Sequence, residues 1–92
     1  MKLIVFKQDN CTPCNMLNDA LKELGTSIDA VDRVANLTSG SDEDLMLAGI
    51  HAIEKTPTMV LVEDDFEGEA IDKYQGVGRK NVTRILTQRG LI

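Results

Sequence analysis

The apolar residues of this chain fall mainly into two kinds of run, continuous and helically spaced. Leu3 to Phe6 is continuous and rich in branched residues, which predicts a strand buried on both faces in the middle of a sheet. From Pro13 to Leu24, the residues Cys14, Leu17, Leu21 and Leu24 share one helix face, while Asn15, Asn18, Asp19, Lys22 and Glu23 lie mostly elsewhere. Pro13 suits a first turn, whose amides lack intrahelical acceptors, and Gly25 suits a stop. Ile28 to Val34 reads as a second strand of mixed polarity, nearer an edge, followed by a loop from Ala35 to Gly40. Ser41, with Asp44 three residues on, predicts a capped helix start, and Asp42, Glu43 and Asp44 suit the positive end of a helix dipole. That helix is predicted to reach about Ala52, with Met46, Ile50 and Ile53 on one side, Leu45, Ala48 and Ala52 near them, and Gly49 weakening its middle.

Thr58 to Val62 is a third apolar strand, Glu63 to Glu69 an acidic turn, and Ala70 to Gln75 a fourth strand that closes a hairpin. Gly76, Val77 and Gly78 break the pattern. A last helix is predicted over Lys80 to Arg89, with Val82, Ile85 and Leu86 inward and Gly90 as its stop. The order is βαβαββα, an α/β chain. Its first two strands, joined through a helix, imply a parallel pair with a right-handed crossover, and the later hairpin adds antiparallel strands.

Ninety-two residues support one domain, residues 1–92, with a single core. A net charge of −5 argues against nucleic-acid binding, which needs clustered Lys and Arg to displace counterions from phosphate. The apolar run at Leu3 to Phe6 is too short for a signal-peptide core, and no stretch could span a bilayer as a helix. The expected compartment is the cytosol. A closely spaced cysteine pair in the cytosol is more often catalytic or metal-binding than structural.

The only two cysteines form Cys11-Thr12-Pro13-Cys14, at the start of the first helix. Two thiols at this spacing can interconvert with a disulfide, and helix amides favour the thiolate of the outer one. Cys14 shares the packed helix face and should be shielded, whereas Cys11 precedes that face and should be accessible. A structural zinc site normally needs four protein ligands, and two Cys with one His cannot easily supply them.

With this pair, the chain resembles small thioredoxins of the thioredoxin/glutaredoxin superfamily, including bacterial and viral members, over nearly its whole length. Pro13 stands just before the second cysteine, as in thioredoxins; glutaredoxins usually place it after the first. Ile53-Glu54-Lys55-Thr56-Pro57-Thr58 resembles the segment carrying the family's cis-proline, and Gly76 resembles the glycine that walls the substrate groove. The resemblance implies a thioredoxin-like fold, a central four-stranded mixed sheet flanked by helices. It implies a monomeric thiol-disulfide oxidoreductase with Cys11 and Cys14 as catalytic residues and Thr12, Pro13, Thr56, Pro57 and Gly76 against substrate. No bound cofactor is implied, since reducing equivalents would come from NADPH through a thioredoxin reductase. Protein disulfides, such as that of ribonucleotide reductase, are the implied substrates; neither nucleic acid nor membrane is a partner.

The chain also departs from the family pattern. Asn10 stands where thioredoxins commonly have tryptophan, and Val5 falls where many carry a buried acid that assists proton transfer. The glycine-pair and acidic motif that helps glutaredoxins hold glutathione is not visible in Gly76-Val77-Gly78-Arg79, although Lys7 and Arg79 could each meet a carboxylate. A glutathione-linked protein and a metal-binding chaperone or adaptor remain as alternatives. Against the latter stand Asp9, where copper chaperones usually carry methionine, and the Thr56-Pro57 segment. Among other residues, His51 reads as a helix-end residue, Met16, Met46 and Met59 as core fillers, and Tyr74 as packing at the sheet edge. Lys73, Arg79 and Lys80 read mostly as surface charges, with Arg79 the nearest to a groove.

Overall fold

The computed structural model describes residues 1–92. Its elements are β1 (Lys2–Lys7), α1 (Thr12–Glu23), a short 3-10 turn (Ile28–Ala30), β2 (Arg33–Asn36), α2 (Asp42–Ile50), β3 (Thr58–Val62), β4 (Ala70–Gln75) and α3 (Arg79–Arg89). The strands form one mixed sheet in the order β2-β1-β3-β4. The β1–β2 pair is parallel, and the β1–β3 and β3–β4 pairs are antiparallel. No helix is long and apolar enough to cross a membrane.

The continuous apolar runs are explained by burial on both faces. Side chains alternate across a strand, so Leu3 and Val5 of β1 join Met59 and Leu61 of β3 on one face, where they meet Leu17 and Leu21 of α1 and Val82, Ile85 and Leu86 of α3. Ile4 and Phe6 join Val60 and Val62 on the other face, under Leu47 of α2. Each of these large side chains contributes roughly 1.5–3 kcal/mol by leaving water. The central strands therefore anchor both layers and hold the ends of β1 and β3 side by side.

The structure departs from the sequence expectation before β2, in the face that α2 buries and in the exposure of Met16. Ile28–Ala30 is a 3-10 turn, and β2 begins only at Arg33 and continues through Asn36. The two apolar residues there, Ile28 and Val31, are three apart, which suits a 3-10 turn better than strand alternation, and both pack against the α1/α3 cluster. Helix α2 presents a different face from the one predicted: Asp44 and Leu47 are buried, with His51 at the C-cap, while Leu45, Met46 and Ile50 are about half exposed.

A polar anchor decides this rotation. Asp44 accepts hydrogen bonds from Arg33 Nη2 at 2.7 Å and from the Asn36 amide at 3.1 Å, which turns its side of the helix toward β2. Burial pushes the Asp44 carboxyl up, but these bonds and the Arg33 charge outweigh it and hold it below the usual range. At the other end of α2, His51 Nε2 donates to the Phe66 carbonyl at 2.6 Å, and Lys73 Nζ donates to the His51 carbonyl at 2.6 Å. Lys73 thus satisfies the end of a helix on a neighbouring element. Of the methionines expected in the core, Met59 is buried, whereas Met16 and Met46 are about half exposed.

Candidate active site

The carboxyl end of β1 delivers the chain to the cysteines through Gln8, Asp9 and Asn10. This loop is pinned to the end of β2: the Asp9 amide donates to Thr38 Oγ1 at 3.2 Å, and Asn36 Nδ2 donates to Asp9 Oδ1 at 2.9 Å. Hydrogen bonds from Asn36 and Ser39 hold the Asp9 carboxyl below its usual range. Asn10 adopts a left-handed conformation at φ +52°, a region that asparagine tolerates better than most side chains. Its place before the cysteines therefore serves the turn that starts α1.

Cys11 is the N-cap of α1, and its Sγ accepts a hydrogen bond from the Cys14 amide at 3.2 Å. Pro13 occupies the first turn, where its missing N–H costs nothing. Cys11 and Cys14 are joined as a disulfide, with 5.2 Å between their Cα atoms. Cys14 is only 5% exposed on the packed face of α1, whereas Cys11 is partly exposed at the helix tip. The two sulfurs therefore differ in access, as their positions along the helix predict.

A groove of about 520 Å³ runs past Cys11. Thr12 and Pro13 line it on the α1 side, and Thr56, Pro57 and Gly76 line it opposite, so all the sequence-predicted site residues except the shielded Cys14 meet here. The Thr56–Pro57 peptide bond is cis. Thr56 lies against the reactive pair, with its carbonyl oxygen 4.0 Å and its Oγ1 3.6 Å from Cys11 Sγ. The Thr56 hydroxyl donates to Gln8 Oε1 at 3.0 Å. Gln8, Lys55 and Gln75 also line the groove and bring polar side chains to it. Sequence reasoning passed over Gln8; the available signal was its position directly after β1, on the strand end that leads to the cysteines.

The glycine wall has a physical explanation beyond small size. Gly76 has φ +135°, and a Cβ there would lie 2.8 Å from the Tyr74 hydroxyl. A Cβ at Gly78 would lie 2.6 Å from the same oxygen, which accepts the Gly78 amide hydrogen bond at 2.8 Å. Tyr74 therefore packs against the core beneath the wall and fixes its height.

Val5 is buried in the apolar cluster beneath α1, so the position expected for a proton-relaying acid is hydrocarbon. Arg79, expected nearest the groove, instead pairs with Glu23 of α1. No three His, Cys, Asp or Glu side chains come together as a possible metal site. Helix amides at one sulfur, a shielded second sulfur and an adjoining open groove together permit thiol–disulfide exchange with a partner that lies along the groove.

Comparison with known proteins points the same way. The family model described as Thioredoxin matches residues 1–88. The fold is similar to that of Malassezia sympodialis thioredoxin, at a TM-score of 0.66 and 24% identity, covering 94% of this chain and 71% of that one. Mitochondrial thioredoxin 3 of Saccharomyces cerevisiae, in its oxidised form, is similar at a TM-score of 0.61 and 27% identity, covering 94% and 76%. A thioredoxin from Thermus thermophilus gives a TM-score of 0.66 at 24% identity, covering 95% and 71%. No curated protein matches the sequence significantly.

Proposed function

The chain belongs to the thioredoxin family, and from that premise we propose that it is an electron donor that reduces disulfides in protein substrates, with Cys11 attacking and Cys14 resolving. One observation carries the order of attack: Cys11 is partly exposed and its sulfur accepts a hydrogen bond from the Cys14 amide, whereas Cys14 is buried. The positive end of α1 and this amide favour a thiolate at Cys11 over one at Cys14.

The Cys11 thiolate attacks one sulfur of the substrate disulfide, forming the Cys11–substrate bond and releasing the other substrate sulfur as a thiolate that takes a proton. Cys14 then loses its proton and attacks Cys11 Sγ. The Cys11–Cys14 bond forms, the mixed disulfide breaks, and the second substrate sulfur leaves with its electron pair. With Val5 beneath the helix, the Cys14 proton passes to solvent rather than to a carboxylate at that position.

The substrate lies extended in the groove, its backbone beside Thr56 and Pro57 and its close approach allowed at Gly76, with Thr12 and Pro13 on the facing side. Reducing equivalents come from NADPH through a thioredoxin reductase, the protein acts as a cytoplasmic monomer, and ribonucleotide reductase is one recipient.

The test is a coupled assay that follows NADPH consumption with insulin as substrate, driven either by thioredoxin reductase or by glutathione with its reductase. The wild-type protein turns over with the thioredoxin reductase arm, and Cys11→Ser abolishes turnover. Normal insulin reduction by Cys11→Ser overturns the assignment, and turnover confined to the glutathione arm replaces the proposed reductant.

A further inference from the structure

Three segments converge on the sulfur of Cys11. The helix tip supplies the Cys14 amide, the segment before β3 supplies the Thr56 hydroxyl at 3.6 Å, and the residue after β1, Gln8, backs that hydroxyl by accepting its proton on Oε1, 3.0 Å from Thr56 Oγ1. A threonine hydroxyl has one proton to give, and here it is given away from the sulfur. This is the arrangement of the oxidised pair, in which a disulfide sulfur is a weak acceptor. A thiolate would be a far stronger one, because charge-assisted hydrogen bonds are about twice as strong as neutral ones.

We propose that Gln8 and Thr56 form a redox-linked hydrogen-bond switch on Cys11, a proposal that rests on the reading of Cys11 as the attacking thiolate. Reduction by a dithiol breaks the Cys11–Cys14 bond. Two electrons and one proton enter, leaving a Cys11 thiolate and a Cys14 thiol, while the dithiol closes to its own disulfide and gives its other proton to water. The Thr56 hydroxyl then turns its proton from Gln8 to Cys11 Sγ. The Gln8 amide, which carries an acceptor and a donor on one planar group, turns over so that Nε2 donates to the freed Thr56 Oγ1. The Thr56–Gln8 bond is kept in each redox state, a Thr56–Cys11 bond is gained on reduction, and the chain from amide to hydroxyl to thiolate polarises in one direction.

Thr56 is thus a direct donor to the reacting sulfur, and Gln8 is a positioning residue that acts through it. No buried acid or histidine is required for this support. The polar side chains of Gln8 and Thr56 beside Cys11 acquire a role in setting thiolate reactivity.

The experiment measures the rate of iodoacetamide alkylation of the fully reduced protein against pH, with the modified cysteine identified by mass spectrometry. Thr56→Val, which keeps the shape and removes the hydroxyl, is expected to raise the Cys11 pKa by about one unit, the size of a typical bond to a charged group. Thr56→Ser restores the wild-type titration, which a purely structural role for the threonine methyl would not do. Gln8→Glu holds the hydroxyl proton permanently and raises the Cys11 pKa, and this increment shrinks in the Thr56→Val background to the effect of the added charge alone. A Thr56→Val titration that coincides with wild type, or a Gln8→Glu increment equal in both backgrounds, overturns the switch while leaving Cys11 as nucleophile. Preferential alkylation of Cys14 in the wild-type protein overturns the premise as well.

Discussion

Asp32 connects three elements that the sequence keeps far apart, and its removal should be felt as a pH-dependent loss of stability. Its Oδ2 accepts from the Leu3 amide at 2.7 Å and from Arg89 Nε at 2.7 Å, and its Oδ1 accepts from Arg89 Nη2 at 2.9 Å. The Asp32 amide in turn donates to the Leu3 carbonyl at 3.1 Å, so one residue continues the β1–β2 pairing and ties it to the end of α3. The Arg89 hydrogen bond, opposed by burial and assisted by the Leu3 amide, holds the Asp32 carboxyl down from 3.8 to about 2. That difference corresponds to at most about 2.4 kcal/mol, and solvent screening of this partly exposed pair reduces it to about 1 kcal/mol.

Because the folded pKa is depressed, the contribution is fully present above 3.8 and is lost as the pH falls through about 2. Asp32→Asn should therefore lower the melting temperature by about 5 °C at pH 7, with the gap closing in strong acid. Asp32→Ala should cost a further 1–3 kcal/mol or so, because it leaves the amide of fully buried Leu3 without its partner. The assay is thermal and urea unfolding followed by far-UV circular dichroism, suited to a chain with no tryptophan. An Asp32→Asn protein as stable as wild type at pH 7, or a gap of constant size down to pH 2, would refute the reasoning.

Helix α2 carries glycine where alanine fits better and alanine where glycine fits better. A Cβ at Gly49 meets open space, and Ala52 sits beyond the C-cap at φ +52°, so Gly49→Ala and Ala52→Gly should each stabilise by roughly 0.5–1 kcal/mol in the same urea assay. Gly40→Ala should do the opposite: its Cβ would lie 2.2 Å from the Asn36 carbonyl oxygen and against the Asp44 carboxylate, for a loss of about 1–3 kcal/mol. Tyr74→Phe removes the acceptor of the Gly78 amide and should speed hydrogen exchange at that amide about fivefold, equivalent to roughly 1 kcal/mol.

The sheet was legible because β1 and β3 are buried on both faces, and a continuous apolar run bounded by turn residues has few other readings. The asymmetry of the cysteines was legible for the same kind of reason: Cys14 lies in phase with Leu17 and Leu21, and Cys11 does not. Helix α2 was misread because its orientation is set by a charged residue. Asp44 is buried through a long-range pair with Arg33 and the Asn36 amide, and a hydrophobic pattern assigns no inward role to an aspartate. The stretch before β2 failed similarly, since the carboxylate of Asp32 does there what a strand backbone would otherwise do. In the groove, Cys11, Pro57 and Gly76 carry residue types with few alternative uses, whereas Gln8 and Tyr74 are common polar and aromatic residues whose roles exist only once β1 and β4 are brought to the helix tip.

The central claim is that Cys11 attacks and Cys14 resolves, and the most direct measurement is the capture of a mixed disulfide. Reduced Cys14→Ser and Cys11→Ser proteins are mixed with a disulfide-bonded peptide, quenched with acid and weighed by mass spectrometry. The account predicts that the Cys14→Ser protein accumulates a peptide adduct on Cys11, because the shielded second sulfur that would release it is gone, while the Cys11→Ser protein stays unmodified on the same timescale. Equal adduct formation by the two variants, or an adduct that forms only on Cys14, would contradict it.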